Sequence, residues 1–442
     1  MNFYGREKEL ALLRKIRDDA KGVARFTIVT GRRRIGKTEL LRQAYGDDAC
    51  LYFFVARRTE KELCESFKAE IGEKLGEFIP GEQTRFAEIF RWILAYSRNR
   101  PITLVIDEFQ DFLRVDPGIC SEMQREWDAF HGTAKINLVV CGSVNSLMNK
   151  MFRDKKEPLY GRETACLKVR PFPPSQLKAI LEEHSGKSSP DDLLSLYALT
   201  GGVAKYVSLL MDAGTFTTKS MLAEMVSDGS PFIGEGRAGL VEEFGRDYGT
   251  YFSILTAIAC GKTLRSEIES SAGVRELGGY LKRLESDYEI IRKTQPLFAK
   301  SQAKNVRYTI NDEFYRFWFR YIARYGAAIE LGAYDRIRAI IERDWTTFTG
   351  KALERYFIAK LGETGNYTRI GGWWDRKGEN EIDIIAENEL DREVEFYEVK
   401  RSEKRFSPAL LEAKRDVFLR ASGQYEGWTT RCLPLSLEDM WS

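Results

Sequence analysis

One loop constrains the fold of this chain more than any other segment. Residues 31–38 read GRRRIGKT, which fits the pattern GxxxxGK[ST] without a mismatch. The apolar run FTIVT precedes this loop, and the amphipathic segment TELLRQAY follows it. Glycines in such a loop let the backbone wrap closely around phosphates, and the start of the following helix adds the positive end of its dipole. The sequence therefore predicts a strand, a phosphate-binding loop and a helix, in that order.

The loop pattern also predicts which residues contact a nucleotide. Lys37 is expected to reach the β- and γ-phosphates, and the Thr38 hydroxyl is expected to bind Mg²⁺. The three consecutive arginines of this loop, Arg32, Arg33 and Arg34, either add positive charge towards the nucleotide or DNA, or form a solvated face of the loop. The predicted nucleotide-contacting residues are Gly31, Arg32, Arg33, Arg34, Ile35, Gly36, Lys37, Thr38 and Glu39.

A second motif ends an apolar run with two acidic residues. In LVIDE, Asp107 is expected to hold Mg²⁺ through water, and Glu108 is expected to orient and polarise the attacking water. The alternative is an acidic pair that caps the end of a strand. Because PITLVID and KINLVVC alternate with helical segments, the sequence favours a parallel sheet covered on both faces.

Composition excludes several classes of protein. The 442 residues carry a net charge of only +2, which excludes a uniformly basic nucleic-acid coat. Two histidines, His131 and His184, cannot build a multi-His metal site and leave little room for a Ser-His-Asp triad. No CxxC pair, apolar signal segment or run of about 20 apolar residues is present, so we expect a cytoplasmic protein without membrane contact.

The middle of the chain has a different pattern. Residues 175–226 read as short helices, and the glycine-rich stretch 229–249 is expected to be a linker or mobile loop. Three helical segments and a short hairpin follow, which is the order of a winged helix. The aromatic segment FYRFWFRYIARY (314–325) is expected to form a buried helix.

The predicted hairpin is strongly basic. Between residues 292 and 307 it holds five basic residues and no acidic one, which suits contact with phosphates. In the third helix, acidic neighbours oppose the basic residues, so contact with the DNA backbone is favoured over base readout. The alternative is a protein–protein module with a solvated basic loop. The expected nucleic-acid contacts are Arg275, Lys282, Arg283, Arg292, Lys293, Lys304 and Arg307.

Charged residues also interrupt two apolar strands near the C-terminus. Asp383 lies between two isoleucines, and Glu398 and Lys400 are two apart on one face of their strand. Two carboxylates and a lysine that converge can bind Mg²⁺ and activate water for phosphodiester cleavage. Asp383 and Glu398 are therefore the expected metal ligands, with Lys400 beside them. The alternative is a set of cross-strand ion pairs.

Together these motifs resemble those of AAA+ and STAND-like P-loop ATPases, and specifically the archaeal-type ATPase family. The resemblance rests on FYGREKEL, GRRRIGKT, LVIDEFQ, NLVVCGS and PLYGR. It implies that Ser143 occupies the sensor-1 position near the γ-phosphate and that Arg162 senses that phosphate. For Arg162 the alternative is a surface arginine paired with a carboxylate. The family's GG-x-P turn lacks its proline here, at Gly201-Gly202-Val203-Ala204.

The resemblance extends to the C-terminal region. Trp373-Trp374, Glu381-Ile382-Asp383 and Glu398-Val399-Lys400 occur in the order of a PD-(D/E)xK nuclease-like domain, and Glu354 corresponds to its helical acid. The implied catalytic residues of the chain are Lys37, Glu108, Arg162, Asp383, Glu398 and Lys400.

The predicted fold is α/β: a P-loop NTPase parallel sheet with a helical lid, then a winged-helix domain and a PD-(D/E)xK-like α/β domain. The predicted bounds of these domains are 1–174, 175–235, 236–328 and 329–442. The predicted function is ATP binding and hydrolysis with contact to DNA, using ATP and Mg²⁺ as cofactors. Two alternatives are a nucleotide-controlled switch or scaffold read by a protein partner, and a DNA-binding regulator without catalysis.

Overall fold

Strands and helices alternate through residues 5–170, the N-terminal unit of the two into which the chain divides. The computed structural model describes residues 3–46, 50–143, 145–299 and 305–441. The elements of the N-terminal unit are α1 (Glu7–Asp19), β1 (Arg25–Thr30), α2 (Lys37–Tyr45), β2 (Cys50–Phe54), α3 (Glu60–Leu75), α4 (Phe86–Tyr96), β3 (Ile102–Asp107), α5 (Phe112–Val115), α6 (Ile119–Phe130), β4 (Ile136–Cys141), α7 (Asn145–Arg153) and β5 (Ala165–Lys168).

Five parallel strands form the sheet of this unit, in the order β2-β3-β4-β1-β5. Every residue of β3 and β4 is buried, as expected for central strands covered on both faces. The register Ile106↔Val140 places the ends of β3 and β4 side by side. The loop between β1 and α2 leaves the sheet at the same carboxyl edge, where parallel α/β sheets bind ligands. The predicted P-loop type of parallel sheet is confirmed.

The C-terminal unit comprises residues 1–4 and 171–442. Its first part is mainly helical, with α8 (Pro174–Ser185), α9 (Pro190–Thr200), α10 (Ala204–Asp212), α11 (Thr218–Met225), α12 (Pro231–Phe244), α13 (Tyr248–Ala259), α14 (Arg265–Ala272), α15 (Leu277–Lys282), α16 (Glu313–Phe317) and α17 (Gly326–Glu330). The strands β6 (Ile291–Thr294) and β7 (Arg307–Ile310) form an antiparallel hairpin after α15. Residues 248–310, here called the helix–hairpin module, therefore contain three helices and a hairpin in the predicted order. The aromatic segment 314–325 is helical, and most of its large side chains are buried, as predicted.

The expectation of a linker or mobile loop at 229–249 is wrong, because α12 occupies most of this stretch. Two of its glycines serve packing rather than flexibility. Gly236 is so close to the indole ring of Trp318 that a Cβ at this position would overlap the ring. Gly239 faces the hydroxyl of Tyr315, which a Cβ would meet at 2.9 Å. Both contacts are tertiary, so the glycine-rich sequence alone reads as a loop.

A mixed sheet forms the last part of the chain. It contains β8 (Arg369–Trp374), β9 (Glu381–Asn388), β10 (Glu393–Val399) and β11 (Thr429–Leu435), in the order β11-β10-β9-β8. Only the pair β10–β11 is parallel. The helices are α18 (Tyr334–Glu363), which begins eleven residues before the predicted start near Trp345, and α19 (Pro408–Ser422). Side chains of α19 pack with those of the sheet in one apolar core that includes Trp373, Ile385, Phe396, Leu411 and Phe418. Among the helices of the described ranges, none has the length and apolar character needed to cross a membrane.

The glycines of α12 give a direct test of this packing. Gly236→Ala should lower the free energy of unfolding by about 1–3 kcal/mol, because the added methyl group overpacks the contact with Trp318. Gly234→Ala is the matched control, since Gly234 is exposed and a Cβ there meets nothing within 4 Å. Gly234→Ala should raise the free energy of unfolding by about 0.5–1 kcal/mol, because alanine has a higher helix propensity than glycine. Urea denaturation of both variants measures this, and equal stabilisation of the two would contradict the described packing.

Candidate functional site

The loop between β1 and α2 has a backbone that depends on left-handed residues. Gly31, Arg34 and Gly36 have φ angles of +149°, +69° and +93°. A Cβ at Gly31 would approach the carbonyl oxygen of Val169 to 2.7 Å, so this position requires glycine. The loop thus folds tightly between neighbouring backbone segments and delivers the chain to the first turn of α2.

Lys37 begins α2 and is almost fully buried, with 7% of its surface exposed. Its Nζ atom donates to the carbonyl oxygens of Gly31 at 2.8 Å and Arg32 at 3.1 Å. Burial lowers the pKa of Lys37, while the nearby carboxylates of Asp107 and Glu108 oppose that shift. The loop therefore encloses a cation whose charge a bound anion would stabilise.

Asp107, at the end of β3, accepts hydrogen bonds from four groups. Thr38 Oγ1 donates to Asp107 Oδ2 at 3.0 Å, and the Tyr52 hydroxyl donates to the same oxygen. Cys141 Sγ and the backbone N–H of Glu108 donate to Oδ1 at 2.7 and 2.9 Å. Burial, followed by the negative charge of Asp107, raises the pKa of both Tyr52 and Cys141, so each remains a donor. The structure therefore brings Thr38 and Asp107 together, as predicted from the two motifs.

Glu108 follows directly and has a backbone φ of +54°, which a non-glycine residue adopts only when its surroundings enforce it. Its Oε2 atom accepts hydrogen bonds from Ser143 Oγ at 2.8 Å and from the amide of Gln110. Two residues predicted separately, Glu108 and Ser143, are thus in direct contact at the carboxyl edge of the sheet.

The other predicted nucleotide-contacting residues differ in exposure. Arg32 and Arg33 are half-buried, Arg34 is exposed and Ile35 is fully buried. Glu39 is exposed and accepts a hydrogen bond from Gln43 at 3.1 Å. The loop therefore combines a buried apolar anchor with an arginine-rich outer side.

The residues predicted to contact nucleic acid differ in their exposure. Arg275, Lys282, Arg283, Arg292 and Lys293 are exposed in the helix–hairpin module. Lys304 lies outside the described residues.

Arg307 has its charge engaged within the C-terminal unit, in contrast to these exposed residues. It donates to both oxygens of Glu381, at 2.8 and 3.2 Å, and its guanidinium lies 4.3 Å from the ring centroid of Trp374.

The predicted C-terminal acids, Glu398 and Asp383, have different partners. Glu398, 5% exposed, pairs with Lys400 at 3.0 Å and with Lys414 of α19 at 3.5 Å. Asp383 instead accepts a hydrogen bond from the backbone N–H of Val399 at 2.8 Å. The charge of Lys400 still acts on Asp383 and opposes the increase in its pKa that burial causes.

A lysine that no sequence motif points to faces the carboxylates near Asp383. Lys351 Nζ lies 2.9 Å from Glu354 Oε1 and 3.7 Å from Glu381 Oε1. Burial raises the pKa of both Glu354 and Asp383, and the charge of Lys351 opposes this increase. Within the described ranges no group of three or more His, Cys, Asp or Glu side chains is arranged to hold a metal ion. Asp383 and Glu398 as Mg²⁺ ligands stay a prediction, and Lys351 is a further cation whose charge acts on Asp383.

Comparison with known proteins agrees with the geometry of the N-terminal unit. Residues 3–210 match the family described as an ATPase domain predominantly from Archaea. These residues form an archaeal-type P-loop ATPase domain. The resemblance to the archaeal-type ATPase family inferred from the sequence motifs is thereby confirmed over these residues. Residues 318–411 match a second family, described as archaeal and bacterial proteins of unknown function.

Individual relatives cover much of the chain. An uncharacterized protein of Methanocaldococcus jannaschii is 28% identical over 407 residues, which are 90% of this chain and 87% of that protein. A second protein of the same organism is 26% identical over 93 residues, 21% of this chain and 87% of its own length. Among solved structures, the Walker-type ATPase of Pyrococcus abyssi has a TM-score of 0.54 at 20% identity and covers 72% of this chain and 96% of its own. This last likeness concerns the fold alone.

The archaeal ATPase domain contains further polar residues that sequence reasoning missed. Arg6 is 5% exposed and donates to the carbonyl oxygens of Ile35 at 3.4 Å and Arg170 at 2.8 Å. It therefore connects the phosphate loop to the backbone at Arg170. The FYGREKEL segment was the available signal for Arg6. Tyr52 and Cys141 had no local signal, because their contact with Asp107 depends on the register of three strands.

Arg162 has a surface pairing in the ATPase domain. Its Nε and Nη2 atoms donate to the two carboxylate oxygens of Asp128, each at 2.9 Å, and Nη1 donates to the carbonyl oxygen of Pro158 at 2.7 Å. The hydrogen bonds to Asp128 raise the pKa of Arg162. This is the arrangement of the alternative interpretation, and a role in sensing the γ-phosphate stays a prediction.

Proposed function

We propose that the chain hydrolyses ATP in its archaeal ATPase domain and binds DNA through its C-terminal unit. The observation that carries the first part is the bond between Thr38 and Asp107, which joins the phosphate loop to the acidic strand at 3.0 Å. A hydroxyl and a carboxylate oxygen side by side are the hard donors that Mg²⁺ prefers. The residues present therefore fit this ion, which when bound to the nucleotide supplies positive charge at the phosphates.

The neighbouring residues divide the remaining work of hydrolysis. Lys37 binds the β- and γ-phosphates, since its buried ammonium has only carbonyl partners to give up. Glu108 orients the attacking water, and the hydroxyl of Ser143 holds the Glu108 carboxylate in place. If Arg162 senses the γ-phosphate, it must first exchange Asp128 for the nucleotide.

Two substitutions separate ATP binding from hydrolysis. Lys37→Ala should weaken ATP binding at least about 100-fold, because a charge-assisted contact to phosphate is lost. Glu108→Gln should bind ATP with unchanged affinity and lower kcat about 10²–10³-fold, because the water is no longer polarised. Equilibrium binding of a fluorescent ATP analogue and phosphate release measure the two effects. Lys21→Ala, an exposed site in the same unit, is the control. Unchanged ATP affinity in Lys37→Ala would contradict the assignment.

The second part of the proposal concerns the exposed basic side chains of the helix–hairpin module. Lys282 and Arg283 end the third helix, and Lys293 lies on the hairpin; all three are exposed. Exposed cations of this kind contact phosphates without reading the bases. Lys351 pairs with Glu354 and Arg307 pairs with Glu381, which favours gripping over cutting of DNA.

Salt dependence tests the contact with DNA. In Lys282→Ala with Lys293→Ala, the slope of log affinity against log salt for duplex DNA should become less negative by about 2, because two phosphate contacts are removed. Lys262→Ala, exposed in the same module, is the matched control and should leave the slope unchanged.

The same complexes, incubated with Mg²⁺, should keep their DNA intact. Cuts that vanish in Asp383→Ala would contradict gripping without cleavage, and an unchanged salt slope in the double variant would remove the proposed duplex contact.

A further inference from the structure

A cavity of about 650 Å³ lies in the C-terminal unit. Its walls come from the hairpin β6–β7, the segment after β7, α18 and the strands β8 and β9. The hairpin register pairs Arg292 with Thr309 and Thr294 with Arg307, and all four of these residues line the cavity. Because side chains alternate along a strand, Lys293 points to the opposite face of the hairpin. The basic hairpin therefore has two distinct faces, one of which belongs to the cavity.

Positive charge exceeds negative charge along the cavity wall. Eight of the lining residues are Arg or Lys, and five are Asp or Glu. Beneath the wall, a single carboxylate serves two guanidinium groups: Glu313, 3% exposed, lies 2.7 Å from both Arg316 and Arg355. Arg292 also acts electrostatically on this group. One carboxylate among three cations leaves this side of the cavity electropositive.

Two arginines of the wall retain donors for a ligand. Arg316 Nη2 is buried and has no hydrogen-bond partner among the described residues. Arg320 donates to the carbonyl oxygen of Ala259 at 3.3 Å and to the Tyr321 hydroxyl at 3.2 Å, neither of which is an anion. Arg316 and Arg355 share the one carboxylate of Glu313, so a ligand that brings further negative charge to this wall is favoured.

Two carboxylates of the opposite wall are paired with cations, which reduces their repulsion of such a ligand. Glu381 is held by Arg307, and Glu354 is held by Lys351. Next to them lies Trp374, whose indole donates to Asn305 at 2.9 Å. At the rim, Arg376 and Lys377 are exposed and line the cavity. The cavity thus combines a cationic wall and rim with a neutralised wall that carries an aromatic side chain.

The size of the cavity limits the ligand. A volume of about 650 Å³ lies within the range of about 300–1,000 Å³ that small-molecule sites occupy. A cube of this volume has edges of about 9 Å, which is the scale of one nucleotide and well below the width of two paired strands. A nucleotide fits such a space and a duplex does not.

We propose that this cavity binds a nucleoside phosphate, with the phosphate against Arg292, Arg316 and Arg320. The nucleotide is an unpaired residue of a single strand or a free mononucleotide, because the two share this chemistry. The inference rests on the proposed contact of the C-terminal unit with DNA and adds a second site, separate from the exposed face that carries Lys293.

Binding to three probes separates the two sites. The full chain carries Lys37→Ala so that the phosphate loop does not compete for nucleotides. The probes are a fluorescein-labelled single strand of about ten thymidines, a blunt duplex and AMP as competitor. Arg292→Ala with Arg320→Ala should weaken single-strand binding at least tenfold and leave duplex binding within about twofold. Lys293→Ala should weaken duplex binding and leave single-strand binding within about twofold. Displacement of the single strand by AMP assigns the free nucleotide to the same cavity.

The remaining outcomes are decisive as well. Arg376→Ala with Lys377→Ala changes two exposed rim positions. This double variant should also weaken binding of the single strand, by several fold. Equal loss of single strand and duplex in Arg292→Ala with Arg320→Ala would overturn the cavity proposal and leave the DNA contact standing. If AMP binds and loses affinity in that variant while no strand binds, the ligand is the free nucleotide. Failure of every probe to bind the full chain would overturn both proposals.

Discussion

The ATPase site depends on the hydrogen bonds that the carboxylate of Asp107 accepts. It joins the phosphate loop through Thr38, strand β2 through Tyr52 and strand β4 through Cys141. Parallel strands bring these residues to one edge of the sheet although they are far apart in sequence. Because burial keeps Tyr52 and Cys141 protonated, Asp107 remains a fully hydrogen-bonded acceptor before any ligand arrives. Such preorganisation reduces the reorganisation that nucleotide binding requires.

The C-terminal unit uses its charges differently. Glu313 is shared by two arginines, Glu381 is held by Arg307, and Glu354 is held by Lys351. The pair Arg307–Glu381 links the hairpin to the mixed sheet, and the pair Arg355–Glu313 links α18 to α16. Arg and Lys outnumber Asp and Glu among the described residues that line the cavity. The proposed binding of phosphates at this cavity rests on that excess of basic side chains.

Local patterns were sufficient to predict the parts of the fold that depend on neighbours in sequence. The phosphate loop, the buried strands of the parallel sheet and the three helices before the basic hairpin all have such patterns. The helix α12 was missed because Gly236 is required by Trp318, a residue 82 positions away. Tyr52 was missed because only the strand register places it at Asp107.

The C-terminal acids illustrate a second limit of sequence reasoning. Alternation predicts that Asp383 and Glu398 converge, and the antiparallel pair Ile384↔Tyr397 places them at the next positions of the two neighbouring strands. Asp383 then binds the backbone of Val399, while Glu398 binds lysines. In the same way, Arg307 reads as a phosphate contact in the sequence, and only the tertiary structure shows its ion pair with Glu381.

The affinity of Asp107→Asn for ATP, measured with Mg²⁺ and again with a chelator, tests the central claim most directly. An amide keeps the size of the side chain but removes the negative charge beside Thr38. If Asp107 serves the metal ion, the substitution should weaken Mg²⁺–ATP binding by about tenfold or more and change metal-free ATP binding by less than about twofold. Equal losses in both conditions would contradict the account, because Asp107 would then only support the loop.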